Sequence, residues 1–251
     1  MKMKKIKVMA VSLIALMALV NAQVKVYAEG EESPDTSKLV KSKGDVIFKI
    51  DNSGTDPLDP TDPDIDKPIV PTDPDTPEGT SGPLSIDHVS NFHFGEQLIS
   101  PKAQIYYAAL EEVKQQDETL KAVPNYVQVT DKRGSNEGWL LTVKQEKQLA
   151  TDDGTELKGA VIKLSNTQIK TTSDNKAKVP TVTTDIELIP AGNALDVISA
   201  KQEEGMGLWI GSFGNESTGA NSVSLSVPGE SAKQASKYTS ELTWTLSSAP
   251  I

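Results

Sequence analysis

The sequence predicts an all-β fold: a single β-sandwich or barrel-like domain with one short helix and a long disordered Asp/Pro-rich loop. Three observations point there. Short β-prone runs recur between Gly, Asn, Asp and Pro. Val223, Leu225 and Val227 alternate with Ser222, Ser224 and Ser226, the pattern of a half-buried strand. Finally, Gly138-Trp139-Leu140-Leu141-Thr142-Val143 and Leu242-Thr243-Trp244-Thr245-Leu246-Ser247 each place a Trp and a Leu two residues apart, hence on one face of a strand.

In chain order, Lys2, Lys4, Lys5 and Lys7 precede an apolar run from Val8 to Val20, broken by Ser12 alone. That run is short for a membrane span and has the layout of a secretory signal peptide, Met1–Ala28, with cleavage after Val26-Tyr27-Ala28 or, as the second choice, after Val20-Asn21-Ala22. No sorting signal or apolar tail precedes Ile251, so the expectation is export followed by release or by capture outside the membrane. Removing the leader takes five of the 25 basic residues and none of the 35 acids, moving the net charge from −10 to −15. Such a charge repels nucleic acid and anionic lipid, and any grip on a polyanionic wall needs local, directional contacts.

Residues 29–50 form an N-terminal segment whose Gly44–Ile50 (GDVIFKI) is β-prone, too short to fold alone, and expected to join a sheet edge. The stretch 51–80 holds seven of the 15 prolines and nine acids against one lysine. Missing backbone donors and like-charge repulsion predict a disordered acidic loop there. The remainder, 81–251, is long enough for one domain with a core of its own. Within it strands are expected near Tyr126–Thr130, Trp139–Lys144, Ala160–Leu164, Thr181–Leu188, Leu208–Phe213, Ser222–Val227 and Tyr238–Ser247. The helix is expected at Ala108–Lys121, where Leu110, Val113 and Leu120 fall at helical spacing, although Asp117 interrupts the stripe.

Little in the sequence points to chemistry. There is no cysteine, which removes disulfides and thiolate ligands, and no cofactor is called for. His88 and His93 lack the spacing that aims two imidazoles at one metal, and a surface or turn role is expected of them. No Gly-x-Ser-x-Gly elbow occurs. The 21 acids after Ser81 allow a carboxylate pair to be drawn almost anywhere, so they do not select a glycosidase; Glu111-Glu112 reads as a solvated helix face and Asp152-Asp153 as a turn before Gly154. The Asp-Pro repeats lack a calcium-binding loop pattern. No enzyme is expected.

The run Val127-Gln128-Val129-Thr130-Asp131-Lys132-Arg133-Gly134-Ser135-Asn136-Glu137-Gly138-Trp139-Leu140-Leu141-Thr142-Val143 and the terminal Tyr238-x-x-x-Leu242-Thr243-Trp244-Thr245-Leu246-Ser247-x-Ala249-Pro250 closely resemble the WxL-domain surface proteins of low-GC Gram-positive bacteria. The likeness extends to the Asp/Pro run and to Gly82–Gly95, and so over most of the chain. It departs at Leu110–Val123, which is longer and more charged than the family core. The resemblance implies a non-catalytic β-rich domain attached non-covalently to the cell wall, with peptidoglycan as ligand. It also implies other WxL-domain proteins and a membrane-anchored surface partner as associates. The alternative is a structural subunit of a surface complex, docking onto such a partner or a host ligand. No nucleic acid and no direct membrane insertion are expected.

The residues singled out are Trp139, Leu141, Trp244, Leu246, Asp131 and Arg133. The four apolar ones either build the core or present indoles on which a sugar face stacks. Arg133, the sole arginine, offers a planar donor fork either to Asp131 or to a carboxylate of the ligand. Trp209, between Leu208 and Ile210, is assigned to the core.

Overall fold

The computed structural model describes residues 38–248; the leader, the rest of the chain before Lys38, and Ala249–Ile251 lie outside the described residues. Fifteen strands follow one another: β1 (Val70–Pro71), β2 (Leu84–Val89), β3 (Gln104–Tyr107), β4 (Glu111–Lys114), β5 (Leu120–Val123), β6 (Tyr126–Asp131), β7 (Trp139–Gln145) and β8 (Val161–Leu164). Then come β9 (Thr167–Lys170), β10 (Thr181–Val182), β11 (Ile186–Glu187), β12 (Leu195–Ala200), β13 (Gly207–Phe213), β14 (Val223–Val227) and β15 (Leu242–Ser248). A single 3-10 turn, Gly219–Asn221, is the only helical element among the described residues, and none is long and apolar enough to cross a membrane.

The strands form four antiparallel sheets, ordered β1-β4-β5, β10-β12-β7-β15, β11-β8-β14-β3 and β2-β6-β13-β9. The three four-stranded sheets share one core, to which Val129, Trp139, Leu141, Ile162, Ile198, Trp209, Phe213 and Leu225 all contribute. The all-β class is therefore what folds.

Strand period decides what the fourth sheet does. Along β6, Val127 and Val129 point into the main core, while Tyr126 enters a second cluster with Leu58, Ile69, Val113, Val123, Leu208 and Ile210. Along β13, Trp209 and Phe213 face the first core, Leu208 and Ile210 the second. This sheet is thus covered on both faces, and every residue of β6 is buried. The cover over its second face comes from the β4–β5 hairpin and the Asp/Pro run.

One local expectation is corrected here. The stretch Ala108–Lys121 is no helix: it contributes to β4 and β5, which pair from Glu111↔Val123 to Lys114↔Leu120 around a turn where Glu118 takes φ 67°. Val113 and Val123 are buried in the second core, which needs the alternation of a hairpin rather than a helical stripe. The Asp/Pro run is irregular but anchored. Four of its aspartates fold back onto their own backbone: Asp51, Asp59, Asp64 and Asp73 each accept the N–H two residues on, at 2.8–3.0 Å. Leu58 and Ile69 are sunk in the second core, and Ile69 N–H bonds the Pro57 carbonyl at 2.9 Å. Gly44–Ile50 forms no strand, and Val46, Ile47, Phe48 and Ile50 are exposed.

Candidate functional site

The two Trp-x-Leu strings are neighbours. β15 pairs with β7 in unbroken antiparallel register, Leu246 opposite Leu141, Trp244 opposite Val143 and Ser248 opposite Trp139. Residues opposed in this way share a face, so both Trp and both Leu point into the same core. Their burial differs. Trp139 and Leu141 are fully enclosed, whereas Trp244 and Leu246 are half-buried because β15 ends its sheet. Trp139 spends its one polar atom inside, donating Nε1–H to the Gly205 carbonyl at 2.9 Å. The fit is close: a Cβ on Gly205, where φ is +74°, would lie 2.7 Å from that nitrogen. Trp244 tilts against Phe213 with ring centroids 6.3 Å apart, and Phe213 meets Phe92 edge-on at 5.9 Å.

Asp131 closes β6 and Arg133 follows one residue into the turn. The guanidinium donates through Nε to Asp131 Oδ1 at 3.0 Å and through Nη2 to Oδ2 at 2.8 Å, and Nη2 also reaches the Gly138 carbonyl at 2.7 Å. The Asp131 hydrogen bonds raise the Arg133 pKa further. Arg133 therefore ties the end of β6 to the start of β7, with the Asp131 side chain 1% exposed and its own 12%. Gly138 allows this only as glycine, since φ is +83° and a Cβ would strike the Ala200–Lys201 backbone.

Lys132, between them, is the residue sequence reasoning passed over. Its alternation away from buried Asp131 was the available signal. Its Nζ bonds Asp51 Oδ2 at 2.9 Å and the Ser53 carbonyl at 2.8 Å. It lines a cleft of about 510 Å³ together with the polar Asp56, Asp174 and Asn175 and the apolar Leu58 and Leu208.

A polar layer lies between β2 and the cover. Asp87 accepts from Ser85 (2.6 Å), Gln128 (3.0 Å) and Thr130 (2.5 Å). Burial raises its pKa against those hydrogen bonds. Gln128 in turn accepts the Leu58 N–H at 2.8 Å and donates to the Asp56 carbonyl, fixing the Asp/Pro run to β6. His88, expected at the surface, is buried instead, 1% exposed, with Nε2 3.1 Å from Glu111 and its ring 4.4 Å from that of Tyr126. Glu111, expected to be solvated, is buried with it because β4 turns that side chain inward. Ser90 Oγ donates to the same carboxylate and accepts the Tyr126 N–H at 2.8 Å. A nucleophilic relay would need the hydroxyl on the imidazole; here both converge on the acid. His93 is the exposed one, 2.9 Å from Asp73. Asp153 and Gly154 form the expected turn, Thr151 bonding Asp153 and Gly154 taking φ +84°. No group of three or more potential metal ligands occurs among the described residues.

The family model described as "WxL domain surface cell wall-binding" matches residues 35–250. The chain belongs to that family, and is thus a cell-surface protein that binds the cell wall. Comparisons with curated proteins and with solved structures give no match.

Proposed function

We propose that this protein is a secreted, non-catalytic wall protein that attaches to peptidoglycan without a covalent bond. The observation that carries the reading is the wall-binding family match over residues 35–250. The six residues singled out in the sequence act from within. Trp139, Leu141, Trp244 and Leu246 fix β7 against β15, and the Asp131–Arg133 pair fixes the turn beside them. The contact surface we assign to the wall is the cleft lined by Lys132, Asp174 and Asn175, which offers both donors and acceptors to sugar hydroxyls and peptide amides beside apolar side chains. Both cations of the motif are paired, Arg133 with Asp131 and Lys132 with Asp51, and of the two it is Lys132 that lines the cleft.

The test is retention of the full chain on isolated, protein-free sacculi. Retention there, lowered several-fold by Asp174→Ala at unchanged melting temperature, supports the reading. Retention only on whole cells transfers the function to a membrane-anchored partner or another surface ligand, and release of soluble sugar fragments overturns the non-catalytic assignment.

A further inference from the structure

Sheet edges are where a β-protein accepts another chain, and this fold blunts all but one of the edges among its described residues. The terminal strands β1, β3, β5, β9, β10 and β11 are four residues or shorter. β2 is longer, but its free side is occupied by the preceding chain, Thr80 N–H bonding the Ile86 carbonyl at 2.7 Å and Ile86 N–H bonding Thr80 Oγ1 at 2.8 Å. β15 has none of these protections. It runs for seven residues, Leu242–Ser248, with no charge, no proline and no break in its register on β7. Its outer side has no strand partner among the described residues. Its inward residues Leu242, Trp244 and Leu246 are packed on the main core yet only half-buried.

The same chain carries a matching piece. Gly44–Ile50 is also seven residues long, contains no proline, and places Val46, Phe48 and Ile50 at alternate positions, 72%, 89% and 61% exposed. A strand with that alternation, laid beside β15, would set three apolar side chains next to Leu242, Trp244 and Leu246. Ile47 and Lys49 would then lie on the outer face with Thr243, Thr245 and Ser247. Main-chain hydrogen bonds would supply affinity and the alternate side chains register.

We propose that the β15 edge accepts the Gly44–Ile50 strand of a second copy of this chain, giving a strand-exchanged self-association. It stands apart from the wall-binding reading, since it uses neither Lys132 nor the cleft. Two copies that each give and take a strand close on themselves.

Mass measurement of the full chain across a concentration series tests it, with a doubling from 26.9 kDa expected. Phe48→Asp, a change at an exposed position outside the core, should return the mass to one copy; a Phe48→Asp protein that stays paired overturns the proposal, as does a native chain that is single at every concentration. The absence of cysteine allows a direct check of which strands meet. Lys49→Cys chains mixed with Thr243→Cys, Thr245→Cys or Ser247→Cys chains should form a cross-disulfide faster than with an exposed Ser236→Cys control. Equal rates with the control overturn it. So does faster linkage of Thr245→Cys to itself, which would mean that β15 meets β15, or a Lys49→Cys/Thr245→Cys double variant that closes its disulfide at single-copy mass.

Discussion

Leu141 and Leu246 stand opposite each other across the β7–β15 ladder, one fully buried and one half-buried, so that strings more than a hundred residues apart in sequence meet side by side. The pairing makes the motif a joint between mid-chain and the terminal strand. It also separates the two tryptophans by depth, and substitution should read that difference. Trp139→Ala removes a fully enclosed indole and leaves the Gly205 carbonyl without its donor, with an expected loss of about 3–5 kcal/mol. Trp244→Ala, at the half-buried edge, should cost only about 1–2 kcal/mol and yield a folded protein. Urea denaturation of both variants measures the contrast; equal losses would contradict the depth assignment.

Arg133→Lys keeps the charge and discards the fork. An ammonium cannot bond both oxygens of Asp131 and the Gly138 carbonyl in the same plane, and about 1–3 kcal/mol should be lost. Because the loss is structural, wall retention of the protein that remains folded should be unchanged. A selective loss of retention at native stability would instead make Arg133 a ligand contact.

Gly205→Ala tests the packing on Trp139 from the other side. A methyl there meets the indole and the Ala200 side chain on a backbone at φ +74°. The expected cost is about 1–3 kcal/mol, accompanied by a change in tryptophan fluorescence.

Tyr126 carries a hydroxyl that is buried without a hydrogen-bond partner among the described residues, in a site where burial and the charges of Glu111 and Asp59 push its pKa well up. Tyr126→Phe removes only that oxygen and should stabilise the protein, by about 1 kcal/mol. A lower melting temperature would show that the hydroxyl has a partner.

Asp87 gives a pH test. Its folded pKa lies above the usual 3.8 because of burial, so between 3.8 and the raised value the folded state holds the proton and the unfolded state does not. Stability contributed by this group therefore falls as pH rises through that window and stays reduced above it. Asp87→Asn can keep all three partners, accepting from Gln128 and Thr130 and donating to Ser85. Its urea midpoint should exceed the native one at pH 7, with the gap closing as pH falls below 3.8. A gap that widens in acid would reverse the assignment.

How much of this was legible in the sequence depends on where each side chain ends up. The strands β6, β7, β13 and β14 could be read because apolar residues or apolar–polar alternation mark them. β2 could not, since Ser85, Asp87 and His88 are buried in it as a hydrogen-bonded polar layer, and polar residues in a strand normally announce a solvent face. The expected strand over Thr181–Leu188 divides into β10 and β11, which enter different sheets, a break that composition does not show. The second core escaped notice because half of its cover lies in a run whose prolines and acids suggest no core at all; Leu58 and Ile69 are the exceptions that decide it. Of the site, the Asp131–Arg133 pair was readable from spacing and chemistry, while the depth of Trp139 against Trp244 was set by sheet order alone.

The anchoring of the Asp/Pro run also bears on distance. Asp51 is held by Lys132, whose own N–H bonds the Pro83 carbonyl, and Thr80 is held by Ile86, so both ends of the segment are tied beside β2. Thirty residues paid out as a free strand could span roughly 100 Å. Tied at both ends and pinned in between by Gln128, which holds Leu58 and Asp56, the segment is a closed loop instead. Lengthening or shortening the acidic run would therefore change the cover of the second core, where Leu58 and Ile69 sit, and not the length of a spacer.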